Sequence, residues 1–298
     1  MLTYFQAIVI GLLQGVTELF PVSSLGHSVL LPALLSGSWE KLARAQSQSE
    51  SFYLAFLVAL HVGTAIALLV YFREDWIKIV RGILRSIVNR RVETPDERLG
   101  WLLVVGTIPV GIVGLVFEHS LRTVFAKPLA AACFLTVNGA ILLAGERYRR
   151  RAQVRALVAA HASTRSETEV GRRLDTLDFR EALIIGTTQI GALFAGISRS
   201  GVTMVAGLAR GLDHEDAARF SFLLATPVIL AAGVYKLPDL FGHLGDGIRM
   251  QALVGAVFAG VASYFSVRFL VRFFQTQTLW PFGIYCLVAG GLCIVRFI

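Results

Sequence analysis

Long apolar stretches alternate with short polar ones along the 298-residue chain. Six of these stretches carry almost no charge and approach the roughly 20 residues that a helix needs to cross a bilayer. They lie at 52–72, 100–117, 128–145, 220–235, 250–267 and 279–295. Two more apolar regions, 1–36 and 182–212, are each interrupted near the middle by Gly, Ser and Pro. The pattern predicts six transmembrane helices and, in each interrupted region, two half-length helices.

Composition agrees with a membrane protein. The chain is 55% hydrophobic and 16% charged, whereas soluble domains are roughly 25% charged. The net charge of +8 could suggest nucleic acid, but the basic residues lie beside the apolar stretches. Membrane topology explains that placement, so we expect no nucleic-acid partner.

The positions of the basic residues predict the orientation of the chain. Seven Lys and Arg lie in 73–98 and nine Arg in 146–181, so both loops should be cytoplasmic. Two crossings separate these loops, which makes the assignments consistent, and residues 37–51 then lie outside. We therefore expect an all-α integral membrane protein of six transmembrane helices and two re-entrant helical hairpins.

The order of these elements predicts an inverted-topology repeat. A hairpin and three spans are followed by a second hairpin and three spans of opposite orientation. The chain would form a single membrane domain, with repeat one at about 1–146, a cytoplasmic connector at about 147–179 and repeat two at about 180–298. Irregular backbone inside a bilayer must be buried in protein or line a wet cavity, so both interruptions should face a polar pocket.

Each interrupted region contains one isolated charge. With histidine counted as neutral, Glu18 is the only charged side chain in 1–39 and Arg199 the only one in 182–209. Because a lone charge at membrane depth costs at least about 2.5 kcal/mol, each should have a partner or water. Their opposite signs indicate a shared cavity, although a plain buried ion pair that locks the hairpins together is an alternative.

The first interruption carries several groups suited to phosphate chemistry. Gln14 and Glu18 are four residues apart and face one side of a helix, where their oxygens could hold Mg²⁺ or Ca²⁺, or Gln14 could simply bond a neighbouring helix. Ser23, Ser24 and Gly26 then offer hydroxyl and backbone N–H groups at a helix start, which is a ready anion site. His27, one turn further on, could serve as a general acid or base, although a lone histidine is usually structural.

The second interruption has the composition of a phosphate cradle. Gly196 and Gly201 let the backbone approach a ligand closely. The planar guanidinium group of Arg199 can hold two phosphate oxygens. Ser198, Ser200 and Thr203 add hydroxyl groups, although serine and threonine at such positions are also ordinary helix caps.

Two other polar residues, His61 and Asn138, lie on otherwise apolar helices. A hydrogen bond to a neighbouring helix is the role we expect for each of them.

Two segments resemble the signature motifs of the bacterial undecaprenyl-diphosphate phosphatase family, also called bacitracin-resistance proteins. They are residues 14–27, Gln-Gly-Val-Thr-Glu-Leu-Phe-Pro-Val-Ser-Ser-Leu-Gly-His, and residues 196–203, Gly-Ile-Ser-Arg-Ser-Gly-Val-Thr. The resemblance extends over nearly the whole chain and includes residues 217–224. The chain departs from the family at Ala195, where proline usually opens the second motif. Gln14 is the less acidic of the two residues that the first motif accepts, which lowers the negative charge available to a metal.

The resemblance implies roles for individual residues. Glu18 would act with a divalent metal, Ser24 would be the nucleophile and His27 would assist proton transfer, while Arg199 would hold phosphate. Water bound to the metal is the alternative nucleophile.

The reaction implied is hydrolysis of undecaprenyl diphosphate to undecaprenyl phosphate, which recycles the lipid carrier for peptidoglycan synthesis. The expected partners are a polyprenyl diphosphate lipid and the membrane, with a homodimer left open. The protein would lie in the bacterial inner membrane with its site open to the periplasmic face.

Two alternatives use the same architecture or chemistry. A phosphatase class with a nucleophilic histidine five residues beyond a Ser-Arg pair is disfavoured, because that position here is Val205. A polyprenyl-phosphate transporter or flippase stays open, because inverted repeats with broken helices are typical of transporters.

Overall fold

The computed structural model describes residues 2–35, 37–39, 42, 52–125, 127–162 and 172–298. Within these ranges the regular structure is helical, apart from an isolated bridge between Arg172 and Leu212. The α-helices are α1 Tyr4–Thr17, α2 Ser24–Leu34, α3 Phe52–Tyr71, α4 Arg73–Asn89, α5 Pro95–Phe125, α6 Pro128–Ala162, α7 Phe179–Thr188, α8 Arg199–Ala209, α9 His214–Phe241, α10 Arg249–Phe273 and α11 Trp280–Phe297. Short 3₁₀ helices occur at Leu174–Thr176, Gln189–Leu193 and His243–Gly245.

Six helices in the described ranges are long and apolar enough to cross a bilayer. Their candidate spans are Phe52–Tyr71, Pro95–Phe117, Pro128–Arg155, His214–Phe241, Arg249–Phe273 and Trp280–Phe297. All six predicted transmembrane segments are therefore confirmed as helices, and the chain is a multi-pass membrane protein. Most of them extend beyond the uncharged stretch because capping residues set their ends: Asp213, for example, accepts from the Asp216 N–H and starts α9.

The two interrupted regions each form a pair of short helices, as predicted. Thr3 and Gln6 form a capping box that starts α1, and Asp178 with Glu181 forms the equivalent box of α7. The second helix of each pair starts at a serine, since Ser23 caps α2 and Ser198 caps α8. Neither pair contains a helix long enough to cross hydrocarbon.

The two basic segments expected to be loops are largely helical. Residues 73–98 contain the 17-residue helix α4, which ends where Arg90 adopts a left-handed conformation, with φ 52°. In the connector, α6 continues to Ala162, and residues 163–171 lie outside the described residues. Basic residue counts predicted the side of the membrane, but Lys and Arg are also good helix formers. The outer segment 37–51 lies mostly outside the described residues.

Small residues let several helix backbones approach closely. Backbone atoms of the partner helix would collide with a Cβ at Gly15 of α1, Gly63 of α3, Gly139 of α6 or Gly186 of α7. The partner helices are α10 for the first two, and α11 and α5 for the others. In a bilayer there is no hydrophobic drive between helices, so such close packing is a main source of association.

A buried ionic cluster joins the starts of two helices to the middle of α6. Glu146 of α6 accepts from His214 at 2.5 Å and from the Leu279 backbone N–H at 2.8 Å. Arg149, one turn further along α6, contacts Nδ1 of His214. The cluster holds the start of α9 and the start of α11 against α6.

Candidate active site

The two isolated charges meet between the hairpins. Arg199 Nη2 lies 2.7 Å from Glu18 Oε1, and both side chains are mostly buried. The two residues are 181 positions apart in the chain. They line a cavity of about 230 Å³, so the predicted shared chamber is present.

The cavity combines a polar end with apolar helix surfaces. It is lined by Glu18, Ser23, Ser24, Leu25, Val58, His61, Val110, Gln189, Ala192, Leu193, Ile197, Ser198, Arg199, Val228, Ile229, Ala232 and Gly233. The polar residues come from the two interruptions, α3 and the Gln189–Leu193 turn. Apolar residues of α5 and α9 form much of the remainder.

Hydrogen-bond donors surround the Glu18 carboxylate. Gln14 Nε2 donates to Oε2 at 3.0 Å, and the Ser24 hydroxyl donates to the same oxygen. His61 Nε2 lies 3.3 Å from that oxygen, while Arg199 occupies the other. One carboxylate oxygen of Glu18 therefore faces Gln14, Ser24 and His61, and the other faces Arg199.

One serine hydroxyl joins the two interruptions. Ser23 Oγ accepts from the Gly26 N–H at 3.2 Å and from the Gly196 N–H at 3.1 Å. Ser23 itself adopts φ 70° and Gly196 adopts φ 114°, a region that favours glycine. A Cβ at Gly196 would also collide with backbone atoms of α6, including the amide nitrogen of Leu135 at 2.7 Å. These two backbone turns therefore lie directly against each other.

Asn138 makes a second bridge between the interruptions. Its Nδ2 donates to the Pro21 carbonyl at 3.0 Å, and its Oδ1 accepts from the Ser198 N–H at 2.9 Å. The expected role of Asn138 as an interhelical hydrogen-bonding residue is confirmed.

Four of the predicted phosphate-binding residues frame the cavity rather than line it. Gly26 and Gly196 supply close-packed backbone. The Ser200 hydroxyl bonds Ser198 Oγ at 3.0 Å and the Phe20 carbonyl at 3.3 Å. Thr203 is buried, and its hydroxyl donates to the carbonyl oxygen of Arg199, one helical turn earlier, at 2.8 Å.

The structure does not bring His27 to the cavity. Its Nδ1 lies 2.7 Å from the Ser23 carbonyl oxygen, which can only accept, so this nitrogen carries the proton. Its Nε2 then accepts from the Tyr285 hydroxyl at 2.7 Å. This geometry does not support the predicted acid–base role, because both ring nitrogens are engaged away from Glu18. His27 instead holds the backbone turn that positions Ser24.

His61 is the functional candidate that sequence reasoning missed. Its Nδ1 lies 2.8 Å from the Leu57 carbonyl oxygen of its own helix, and Nε2 faces Glu18. We expected an interhelical hydrogen bond from it, and the partner proves to be the cavity carboxylate. The sequence offered only one histidine on an apolar helix as a signal. Glu18 lies 43 positions away, so no local motif links the two residues.

Gln189 is the second missed residue. It lines the cavity and donates to the Gly106 carbonyl oxygen at 3.1 Å. Its Oε1 is buried and has no hydrogen-bond partner among the described residues. A buried acceptor of this kind leaves room for a donor or cation from a ligand.

The predicted metal ligands fit a hard cation only in part. Gln14 Oε1 is buried without a hydrogen-bond partner among the described residues, and the same side chain bonds Glu18. The described residues contain no group of three or more His, Cys, Asp or Glu placed to hold a metal. One carboxylate and one amide oxygen suit Mg²⁺ or Ca²⁺ when other oxygens complete the coordination, as those of a diphosphate would.

Known proteins match this chain along nearly its full length. An undecaprenyl-diphosphatase 2 of Frankia alni is 58% identical, over 99% of this chain and 98% of its own length. The undecaprenyl-diphosphatase of Mycolicibacterium paratuberculosis is 56% identical, over 99% and 97%. An undecaprenyl-diphosphatase 2 of Burkholderia lata is 45% identical, over 97% and 95%.

The family model described as bacitracin resistance protein BacA matches residues 7–292. This range contains both interruptions, the Glu18–Arg199 pair, five of the six candidate transmembrane helices and most of the sixth. With relatives that also match from end to end, the chain belongs to the bacitracin resistance protein BacA family.

Proposed function

We propose that this chain hydrolyses undecaprenyl diphosphate to undecaprenyl phosphate and inorganic phosphate, and so recycles the lipid carrier used in peptidoglycan synthesis. The observation that carries the proposal is the Glu18–Arg199 pair at a cavity between two helix starts. The names of the relatives supply the substrate.

The cavity suits a phosphoryl group because positive groups converge on it. Arg199 provides a planar fork for phosphate oxygens. Helices α2 and α8 both begin there, at Ser24 and Arg199, and helix N-termini carry partial positive charge. Phosphoryl transfer depends mainly on such charge neutralisation and alignment.

Ser24 is our proposed nucleophile. Its hydroxyl lines the cavity and donates to Glu18, the group best placed to receive its proton. In this scheme Ser24 Oγ bonds the terminal phosphorus while the bridging P–O bond breaks and undecaprenyl phosphate leaves. Water then cleaves the phosphoserine, which releases phosphate and restores the hydroxyl.

We further propose that Gln14 and Glu18 bind a divalent cation, Mg²⁺ or Ca²⁺, together with phosphate oxygens. The unpartnered Gln14 Oε1 beside Glu18 supports this assignment. Such an ion would neutralise charge on the diphosphate and polarise its phosphoryl oxygens.

The helix contacts support the predicted inverted repeat with re-entrant hairpins. Helix α1 packs on α10, and its counterpart α7 packs on α5; α3 and α9 contact each other, as do α6 and α11. The first five elements (α1, α2, α3, α5, α6) can be exchanged for the last five (α7 to α11), and each of these four contacts is reproduced. A two-fold axis in the membrane plane has this effect.

The lining residues support an opening toward the periplasmic face of the inner membrane. If the basic helix ends are cytoplasmic, α3 runs inward, while α5 and α9 run outward. Val58 and His61 then lie in the outer half of α3, Val110 in the outer half of its span, and residues 228–233 in the outer half of α9.

Phosphate release tests the proposal. Purified protein in detergent with Mg²⁺ or Ca²⁺ should release phosphate from undecaprenyl diphosphate, and Glu18→Ala should abolish release without unfolding the protein. Glu74→Ala, which removes an exposed carboxylate, is the matched control. No release by the wild type, with movement of undecaprenyl phosphate across proteoliposomes, would identify a transporter instead.

The nucleophile requires a separate measurement. Rapid quenching during a single turnover should trap a phosphoserine at Ser24, and Ser24→Ala should lose activity. A Ser24→Ala variant with undiminished release would show that water attacks directly.

A further inference from the structure

Helix α4 has one face packed against the protein. Ile79, Gly82 and Ser86 are buried, and Ser86 Oγ accepts from Trp101 Nε1 of α5 at 2.8 Å. A Cβ at Gly82 would lie 3.0 Å from the Glu97 amide nitrogen, so the two helices are in close contact. This packing fixes which side of α4 faces outward.

The outward side carries an apolar stripe. Ile77, Val80, Leu84, Ile87 and Val88 are between 48% and 80% exposed. Steps of three or four residues from Ile77 to Ile87, and of four from Leu84 to Val88, place them on one face of the helix. An exposed contiguous apolar surface of this kind marks a site of interaction with a membrane or a protein.

Basic side chains run beside this stripe. Lys78 and Arg81 are exposed and make no ion pair with any described residue. Arg85 lies 3.7 Å from Glu97, and Asp75 is engaged by Arg219 at 2.7 Å. Exposed Glu74 lies 3.7 Å from exposed Arg73, which offsets its charge. The net accessible charge next to the stripe is therefore positive.

The neighbouring elements hold α4 at a membrane boundary. Only Phe72 separates α4 from the transmembrane helix α3, and residues 90–94 separate it from α5. A helix tied at both ends to transmembrane helices remains near the level where they leave the bilayer. Its basic character places that level on the cytoplasmic side.

We propose that α4 lies in the headgroup layer of the cytoplasmic leaflet and binds anionic phospholipid. The stripe from Ile77 to Val88 enters the acyl boundary, while Lys78 and Arg81 contact phosphate groups. Charge selects this partner over a second copy of the chain, because an identical basic helix would repel it. An apolar face with a flanking basic face is the composition of interfacial helices.

Lipid retention by the full-length protein tests the charge. Native mass spectrometry after exchange into equal phosphatidylglycerol and phosphatidylcholine should show preferential retention of phosphatidylglycerol. The double variant Lys78→Gln/Arg81→Gln should reduce that preference by roughly 25-fold, at about fivefold for each basic side chain. Arg150→Gln/Arg151→Gln, an exposed pair on α6, removes equal charge and should keep the preference.

A spin label tests the depth of the stripe. In a background without Cys133, Cys286 and Cys293, a label at Leu84→Cys should be relaxed by oxygen more than by a water-soluble nickel complex, and a label at Lys78→Cys should show the reverse. Unchanged melting temperatures would exclude misfolding. The proposal would be overturned by equal lipid retention in all variants or by a Leu84 label that is exposed to water. Dipolar broadening between Leu84 labels from two chains would overturn it as well. None of these readouts depends on phosphatase activity.

Discussion

Glu18 and Glu146 are both buried carboxylates that face a histidine and an arginine, but their surroundings differ. Glu146 is enclosed by His214 and the Leu279 backbone N–H. Glu18 is surrounded by side chains and lines the cavity of about 230 Å³. The first cluster joins helix ends, and the second meets an open space.

The hydrogen-bond partners of the two histidines differ as well. His214 contacts Glu146 through Nε2, and its ring also lies against Arg149. His61 faces a carbonyl oxygen with Nδ1 and a carboxylate with Nε2, and neither partner can donate. Both nitrogens of His61 therefore require a proton.

This difference changes the charge of each cluster. Among the hydrogen-bonded groups, Glu146 and Arg149 balance each other. Glu18 cannot balance both Arg199 and a protonated His61, so the cavity retains one positive charge. A buried excess charge is costly unless an anion meets it. This difference in charge supports the proposed role of the Glu18 cluster in binding phosphate, and it fits a structural role for the Glu146 cluster.

Removing each arginine should give the largest contrast. Arg199→Ala should lower kcat/KM for undecaprenyl diphosphate by at least about 10³-fold, because a direct phosphate donor is lost. Arg149→Ala should change kcat/KM by less than about threefold, since Arg149 contacts His214 rather than the cavity. Phosphate release by both purified variants checks this. Similar losses in the two variants would remove the distinction between the clusters.

The histidines should give the next largest contrast. His61→Gln keeps a donor toward Glu18 but removes a charge within several ångström of the phosphate, and should lower kcat/KM by roughly 30-fold. His214→Gln should change it by less than about threefold. Steady-state kinetics at equal detergent and metal concentration would decide. A His61→Gln enzyme with wild-type kinetics would show that the ring carries no charge the substrate uses.

The smallest effect should be on stability, at the junction. Glu146→Gln replaces charge-assisted hydrogen bonds by weaker ones and should cost about 1–2 kcal/mol. That corresponds to a decrease in Tm of about 3–6 °C. Glu74→Gln, on an exposed carboxylate, is the control and should leave the Tm unchanged. Thermal unfolding in detergent measures both, and an unaltered Tm for Glu146→Gln would contradict a structural role.

Much of the fold could be predicted because single residues carry large energies in a bilayer. Uncharged stretches of helical length predicted six spans, and all six are present. The isolated charges of Glu18 and Arg199 predicted a shared cavity, and the two side chains meet there. Neither inference required knowledge of distant contacts.

The remaining features depend on contacts that sequence spacing does not encode. His61 and Glu146 each find their partners on other elements, and neither has a local motif. His27 follows the serines by one turn, but helix geometry directs its ring to Tyr285 instead of Glu18. For residues 73–98, the number of basic residues predicted the membrane orientation. The apolar residues between them were not recognised as one face of a helix.

The double hydrogen bond of Asn138 bears on the choice between chemistry and transport. Its amide binds the Pro21 carbonyl in one repeat-like half and the Ser198 N–H in the other. Asn138 and Pro21 both belong to the first half, so a rocking motion of one half against the other, as alternating access requires, would break the bond to Ser198. No water replaces such a bond deep in the bilayer. The hydrogen bonds of Asn138 therefore favour a rigid catalytic site over a transporter with alternating access.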